Sequence, residues 1–293
     1  MNATHLLAAG SLSLALVLPA EQSRRGTVQL EAADCSRHNM MWGDYQVAYA
    51  QQHAMVPLSA GVLHVDPGSN GGVKIEKGAG SAYSITACIG AGAATREEAQ
   101  RAADSVQLST VGNRVTVAGA EGVRSWSVQL IIEAPAGAQI EAETRNGPIG
   151  ISGVDGRISA RATNGPIGIK DVSGQVYARA QNGPISVSGS RGEFDVETQN
   201  GPISVDLQGT TWDGKLDARA KNGPLSVRVP SGFTSGVEIS SDGRSPWSCH
   251  GVACGGQTYD RAWNNTPRTV KIGNDPVVVR ISTVNGPVSI DSR

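Results

Sequence analysis

The chain has 293 residues, 39% of them apolar, a formal net charge of −1, and no run of Lys or Arg. That length can bury a sizeable core in one or two domains, and the charge balance argues against a nucleic-acid partner. Glycine is abundant at 37 residues while aromatics make up 4%, a composition that suits a narrow core of stacked strands with many corners.

Residues 1–20 read as a signal peptide: Leu6 to Ala20 is apolar, short for a bilayer span, and runs into the polar stretch Glu21 to Arg25. No Cys follows in a lipid-anchor position, and no later stretch is apolar enough for a transmembrane helix. The expected location is therefore the periplasm or the cell surface. Residues 21–56 lack periodicity and read as a lead-in segment that covers the first coil of a repeat domain spanning 57–293. Within that domain, Val62 to Val65 and then Asn70 to Ile75 form a degenerate first copy. Ser84–Ile89, Arg114–Val117 and Ser127–Glu133 read as strands. One short helix is expected near residues 95–104, where Thr95 and Glu98 have the spacing of a capping box.

The regular array occupies residues 139–230. Asn146, Asn164, Asn182 and Asn200 each open an Asn-Gly-Pro-Ile run, 18 residues apart. Asn222 follows after 22 residues with Asn-Gly-Pro-Leu, and Asn285 opens Asn-Gly-Pro-Val. A fixed period that keeps its turn chemistry marks one supersecondary unit stacked many times. In the first unit, Asn-Gly turns a corner and Pro148 suits the first residue of a strand. Ile149 and Ile151 then alternate with small residues. Gly153 to Gly156 make a second turn, after which Ile158, Ala160 and Ala162 alternate with polar residues. The same register maps Ile158 onto Val176, Phe194 and Leu216, and Ala160 onto Ala178, Val196 and Ala218. The expected fold is all-β, a parallel β-solenoid (β-helix-like) of about 18–22-residue coils. A stacked Asn column can hydrogen-bond along the axis, or each Asn can serve its own turn alone; the sequence leaves both open. Residues 241–267 read as a long loop and residues 268–293 as the C-terminal cap.

After a leader, the four cysteines favour two disulfides. Cys249 and Cys254 are close enough in sequence to pair, which leaves Cys35 for Cys88. A zinc site at Cys249, His250 and Cys254 lacks a second ligand pair at metal spacing, so no metal and no cofactor are expected.

The signal peptide, Asn70 to Ile75, the helix opening Thr95-Arg-Glu-Glu-Ala, the segment Trp126 to Gly137 and the Asn-Gly-Pro-Ile units together resemble the putative-adhesin β-strand-repeat family of bacterial exported proteins. That family is a domain of unknown function, and the resemblance runs from about residue 55 to residue 293. It implies a β-helix-like fold and a cell-envelope location, and it transfers no catalytic residue.

Three outward surfaces stand out. Arg161, Arg179, Glu197 and Arg219 form one column of the second strand, flanked by Ser159, Tyr177, Asp195 and Asp217 and by Arg157, Gln175, Glu193 and Lys215. Arg161, Tyr177, Arg179 and Arg219 make a candidate face for an anionic or glycan ligand, against the plainer alternative of charge balance between neighbouring coils. Glu193, Asp195, Glu197 and Asp217 form the densest carboxylate cluster, the basis of an alternative reading as a polysaccharide lyase or hydrolase. Gly150, Gly168, Ser186, Ser204 and Ser226 form a strip of small residues on the first strand. The expectation is a non-enzymatic structural or interaction module of the cell envelope, acting in adhesion or envelope sensing. Its partner would be an envelope glycan or protein, not nucleic acid.

Overall fold

The structure is a computed structural model. It describes residue 35 and residues 44–119, 125–241, 245–255, 259–261, 269–273 and 275–293, so the expected signal peptide and most of the expected lead-in segment lie outside the described residues.

The N-terminal part contains β1 (Gln46–Pro57), β2 (Leu63–Asp66), β3 (Gly71–Lys77) and β4 (Ala82–Ala93). It continues with α1 (Arg96–Asp104), β5 (Gln107–Val111), β6 (Arg114–Ala118) and β7 (Trp126–Ala134). The repeats give β8 (Ala138–Asn146), β9 (Ile149–Ser152), β10 (Asp155–Asn164) and β11 (Ile167–Asn182). They go on with β12 (Ile185–Asn200), β13 (Ile203–Leu207), β14 (Asp213–Asn222) and β15 (Leu225–Val229). The C-terminal part holds β16 (Gly236–Ser241), β17 (Trp247–Cys249) and β18 (Tyr259–Arg261). After it come β19 (Thr269–Ile272), β20 (Val277–Asn285) and β21 (Val288–Ser292).

These strands form one mixed sheet in two halves that face each other across a single core. One half runs β1, β4, β7, β3, β9, then the leading parts of β11 and β12, then β13, β15, β21, β17 and β18. The other runs β5, β6, β2, β8, β10, the trailing parts of β11 and β12, then β14, β20, β16 and β19. β11 and β12, at 16 residues each, pass through both halves. The second turn expected within each unit is there a corner inside an unbroken strand, with Asp171 at φ +54° and a register shift at Val172.

The expectation of a wholly parallel solenoid is corrected. Pairing is antiparallel between β1 and β4, β4 and β7, β5 and β6, β16 and β19, and β17 and β18. Parallel, in-register pairing holds through the repeats, where Ile158 lies between Ile140 and Val176, and Phe194 between Val176 and Leu216. The ends are also ordered differently from the chain. β2 and β3 lie between the strands of residues 114–134 and those of 138–152. Likewise β20 and β21 stack directly on β14 and β15, with β16 and β17 beyond them. Of the expected C-terminal cap, β20 and β21 therefore lie inside the stack, while β19 (Thr269–Ile272) is the outer strand of its half.

Stacking explains the glycines. Gly165, Gly183, Gly201, Gly223 and Gly286 have φ between +147° and +156°, and a Cβ on any of them would overlap the carbonyl oxygen of the glycine one coil back. No larger residue fits a corner that hydrogen-bonds this closely to its neighbour. The 22-residue coil carries four extra residues before Asp213, and Trp212 from that insertion packs edge-on against Phe194 at 5.2 Å. At the N-terminal end, the helix buries Ala99 and Ala103 against the core and has the expected capping box at Thr95 and Glu98. Tyr83 spans the core: its hydroxyl donates to the Gln139 carbonyl (3.2 Å) and accepts from the Gln139 N–H (3.0 Å). Its burial pushes the phenol pKa up, against the lowering effect of the Gln139 backbone bond.

Candidate ligand-binding face

The asparagine corners form a hydrogen-bonded column. Asn164 Nδ2 donates to Asn146 Oδ1 (2.9 Å), Asn182 to Asn164 (2.9 Å), Asn200 to Asn182 (2.8 Å), Asn222 to Asn200 (2.9 Å) and Asn285 to Asn222 (2.9 Å). Asn146 donates onward to the Ser69 carbonyl (3.0 Å) and to Asn70 Oδ1 (3.4 Å), so the degenerate first copy joins the same column. None of these asparagines has a positive φ; at Gly165, Gly183, Gly201, Gly223 and Gly286 the paired glycine takes the unusual conformation. The side-chain amide is thus the reason for Asn at this place, since each one satisfies its neighbour one coil away.

Beside this column, on the outer face of the second half-sheet, lie the charged residues. Arg157 pairs in register with Gln175, Tyr177 with Asp195, Arg161 with Arg179, and Glu197 with Arg219. Asp195 has both carboxylate oxygens occupied: Arg219 donates to Oδ1 (2.8 Å) and Arg179 to Oδ2 (2.7 Å). Glu197 lies 3.4 Å from Arg179 and 3.8 Å from Arg219, and Asp217 pairs with Arg219. Partial burial opposes the charge on Arg219, but Asp217 and Asp195 outweigh it and hold the guanidinium pKa above its ordinary value. Glu193 pairs loosely with Lys215 at 4.0 Å.

A groove of about 700 Å³ runs along the stack axis between two outward columns. One wall is Glu143, Arg161, Arg179 and Glu197; the other is Arg145, Thr163, Gln181 and Gln199. Thr144, Ala162 and Ala180 make the floor, and Asp66, Gly68 and Ser69 close one end. Of the four residues expected to grip a ligand, Arg161 and Arg179 line this groove. Arg219 sits one strand beyond it, and Tyr177 lies in the next column with the Arg157 guanidinium 5.8 Å over its ring. The second wall was missed, although its signal was in the sequence: each member immediately precedes a ladder asparagine and lies two residues past the Arg161 column. The closed end comes from the β2–β3 loop, which no local pattern links to the repeats.

The small-residue strip is also continuous. Gly150, Gly168, Ser186, Ser204, Ser226 and Ser289 stand in register on neighbouring strands of the first half. Cys35 pairs with Cys88, whose side chain is on the outer face of β4, and Cys249 pairs with Cys254. Among the described residues no group of His, Cys, Asp and Glu could hold a metal ion, and no helix is long and apolar enough to cross a membrane.

No protein-family model and no curated protein matches the chain. Among solved structures it is similar to a putative cell adhesion protein from Clostridium sporogenes, at 10% identity and a TM-score of 0.31, over 84% of this chain and 100% of that one. It is similar also to a putative adhesin from Bacteroides fragilis, at 9% identity and a TM-score of 0.36, over 84% of this chain and 97% of that one. A putative adhesin from Parabacteroides distasonis gives 9% identity and a TM-score of 0.32, over 84% and 98%.

Proposed function

We propose that this chain is an exported, non-enzymatic interaction module that holds an extended polymer of the cell envelope along its stack, in adhesion or in sensing of that envelope. The observation that carries the reading is the groove beside the asparagine column. Each of its four strands contributes side chains with hydrogen-bonding groups, repeating at the strand spacing of ~4.8 Å. A polymer laid along the axis meets hydrogen-bonding side chains at every coil: Glu143 and Arg145, Arg161 and Thr163, Arg179 and Gln181, Glu197 and Gln199. The reading treats the parallel, in-register coils from Asn70 to Asn285 as one solenoid. Two disulfides support an oxidising compartment and hence export.

The carboxylate cluster supports binding over cleavage. A glycosidase needs one carboxylic acid free to give a proton and a second carboxylate facing it across the scissile bond. Here both oxygens of Asp195 are taken by guanidinium groups, Asp217 is paired with Arg219, and Glu193 and Asp217 lie outside the groove. The test is an array of envelope polysaccharides and peptidoglycan fragments probed with the disulfide-bonded mature chain. Enrichment on at least one polymer without change in its length is expected. Retention of none refutes the binding role, and shortening of a bound polymer refutes the non-enzymatic one.

A further inference from the structure

Arg161 and Arg179 are register partners on adjacent parallel strands, so their side chains leave the sheet from neighbouring positions and then lean apart. Their carboxylate partners stand on opposite flanks. Arg161 reaches back to Glu143 at 3.6 Å, and Arg179 reaches forward to Asp195 at 2.7 Å and Glu197 at 3.4 Å. No carboxylate of the protein stands between the two arginines in the column. Arg145, on the opposite wall, makes no ion pair or hydrogen bond among the described residues. The charges at the middle of the groove are thus Arg161 and Arg179; Asp66, Glu143 and Arg145 stand at one end and Glu197 at the other.

Resting on the binding role proposed above, we infer that the groove takes an acidic glycan, with a sugar carboxylate seated between Arg161 and Arg179 and the chain running along the stack axis. Arg161, whose ion pair with Glu143 is 3.6 Å long, can turn paired donors toward a carboxylate. Arg179 donates from Nη1 to the Ala178 and Asp195 carbonyls and from Nη2 to Asp195 Oδ2, so it adds its charge and its remaining Nη2 hydrogen. Thr163 and Gln181, at the same level on the facing wall, present a hydroxyl and an amide to the ring hydroxyls. Alanine at positions 162 and 180 leaves the floor flat enough for a sugar ring to approach. An acidic peptide is the poorer fit, because the lining offers no apolar recess for a side chain beyond those alanines. With no aromatic ring in the groove, affinity rests on charge and hydrogen bonds, so it is salt-dependent.

The probe is a short oligogalacturonate, titrated calorimetrically into the disulfide-bonded mature chain, with its methyl-esterified counterpart as the neutral control and oligoglutamate as the peptide control. Binding of the acid form alone is expected, weakening as salt is raised. Arg161→Gln and Arg179→Gln should each weaken it by about tenfold, the loss of one charge-assisted pair. Arg228→Gln, in the other half of the sheet, should leave it unchanged. Unchanged binding in the double variant, equal binding of the neutral oligomer, stronger binding of oligoglutamate, or no binding of the acid form overturns the inference. If the array still shows retention on an envelope polymer in any of those cases, the binding role stands without this ligand; an empty array removes both.

Discussion

The central coils and the two ends are built by different means. In residues 138–229 each strand stacks on the one a single repeat away, so the core columns, glycine corners and asparagine bonds recur at 18 or 22 residues. At the ends the contacts bridge long separations. β1 closes on β4 antiparallel, β2 stacks on β8, and Asn285 reaches Asn222 from 63 residues away. A repeat that contacts only its neighbours gains stability from repetition, whereas its terminal layers have no neighbour on one side. Those layers are instead closed by antiparallel strands, a helix and disulfides. Regularity and closure are thus separate tasks, and separate mutations should expose them.

The largest effect should come from the glycine corners. Gly183→Ala puts a Cβ into the Gly165 carbonyl oxygen at φ +155°, where neither backbone can yield without breaking the stack. A loss of about 4 kcal/mol, or failure to fold, is expected. Gly112→Ala, at the β5–β6 turn of the N-terminal end, also sits at positive φ (+62°) but meets no atom within 4 Å. It should cost about 1 kcal/mol. Equal losses in urea unfolding of the two variants would mean that close stacking does not dictate these glycines.

Next come the disulfides. Removing Cys35–Cys88, which spans 53 residues, should cost about 2–4 kcal/mol. Hydrogen exchange should rise first in β1 and β4 and leave β10 to β12 protected. Cys249–Cys254 closes a separation of only five residues and should matter less. Faster exchange in the central strands than in β4 on loss of Cys35–Cys88 would show that the ends do not unfold separately.

This division also explains what the sequence could tell. The core columns from Ile158 and Ala160 were legible because a strand's side chains alternate with period two and the unit repeats at a fixed length. The helix was legible from its cap. The interposed β2–β3 and β20–β21 layers were not, because their partners are set by where the chain returns after an excursion. Nor was the continuity of β11 and β12, which stay paired with each other through the corner. At the candidate site the arginine column was legible from spacing alone. The facing wall needed only the step of counting two residues further along the same strand.

A smaller effect should separate mid-ladder from end-of-ladder asparagines. Asn182 both donates to Asn164 and accepts from Asn200, whereas Asn285 makes one such bond. Asn182→Ala should cost about 1 kcal/mol and Asn285→Ala about half as much, since exposed amide bonds contribute modestly. Thermal melts that rank the two the other way would assign these residues to their own turns rather than to a shared column.

The smallest effect on stability should fall on the ion pairs, and it bears most directly on the ligand. The Glu143–Arg161 pair is 3.6 Å long with both side chains more than half exposed, 63% and 52%. Glu143→Gln should change stability by less than about 0.5 kcal/mol. Asp195→Asn, which disturbs a carboxylate held by two arginines at the edge of the groove, should cost more, about 1 kcal/mol. For binding, both substitutions should act in the same direction. Each removes a protein carboxylate that competes for a groove arginine, so each should tighten an acidic oligosaccharide while leaving a neutral one untouched. Glu143→Gln is the cleaner test, because it frees Arg161 without loosening Arg179 and without measurable loss of fold. Weaker binding in that variant would mean that Glu143 itself contacts the sugar, and that the occupied groove is read through its Glu143 end instead of its arginine centre.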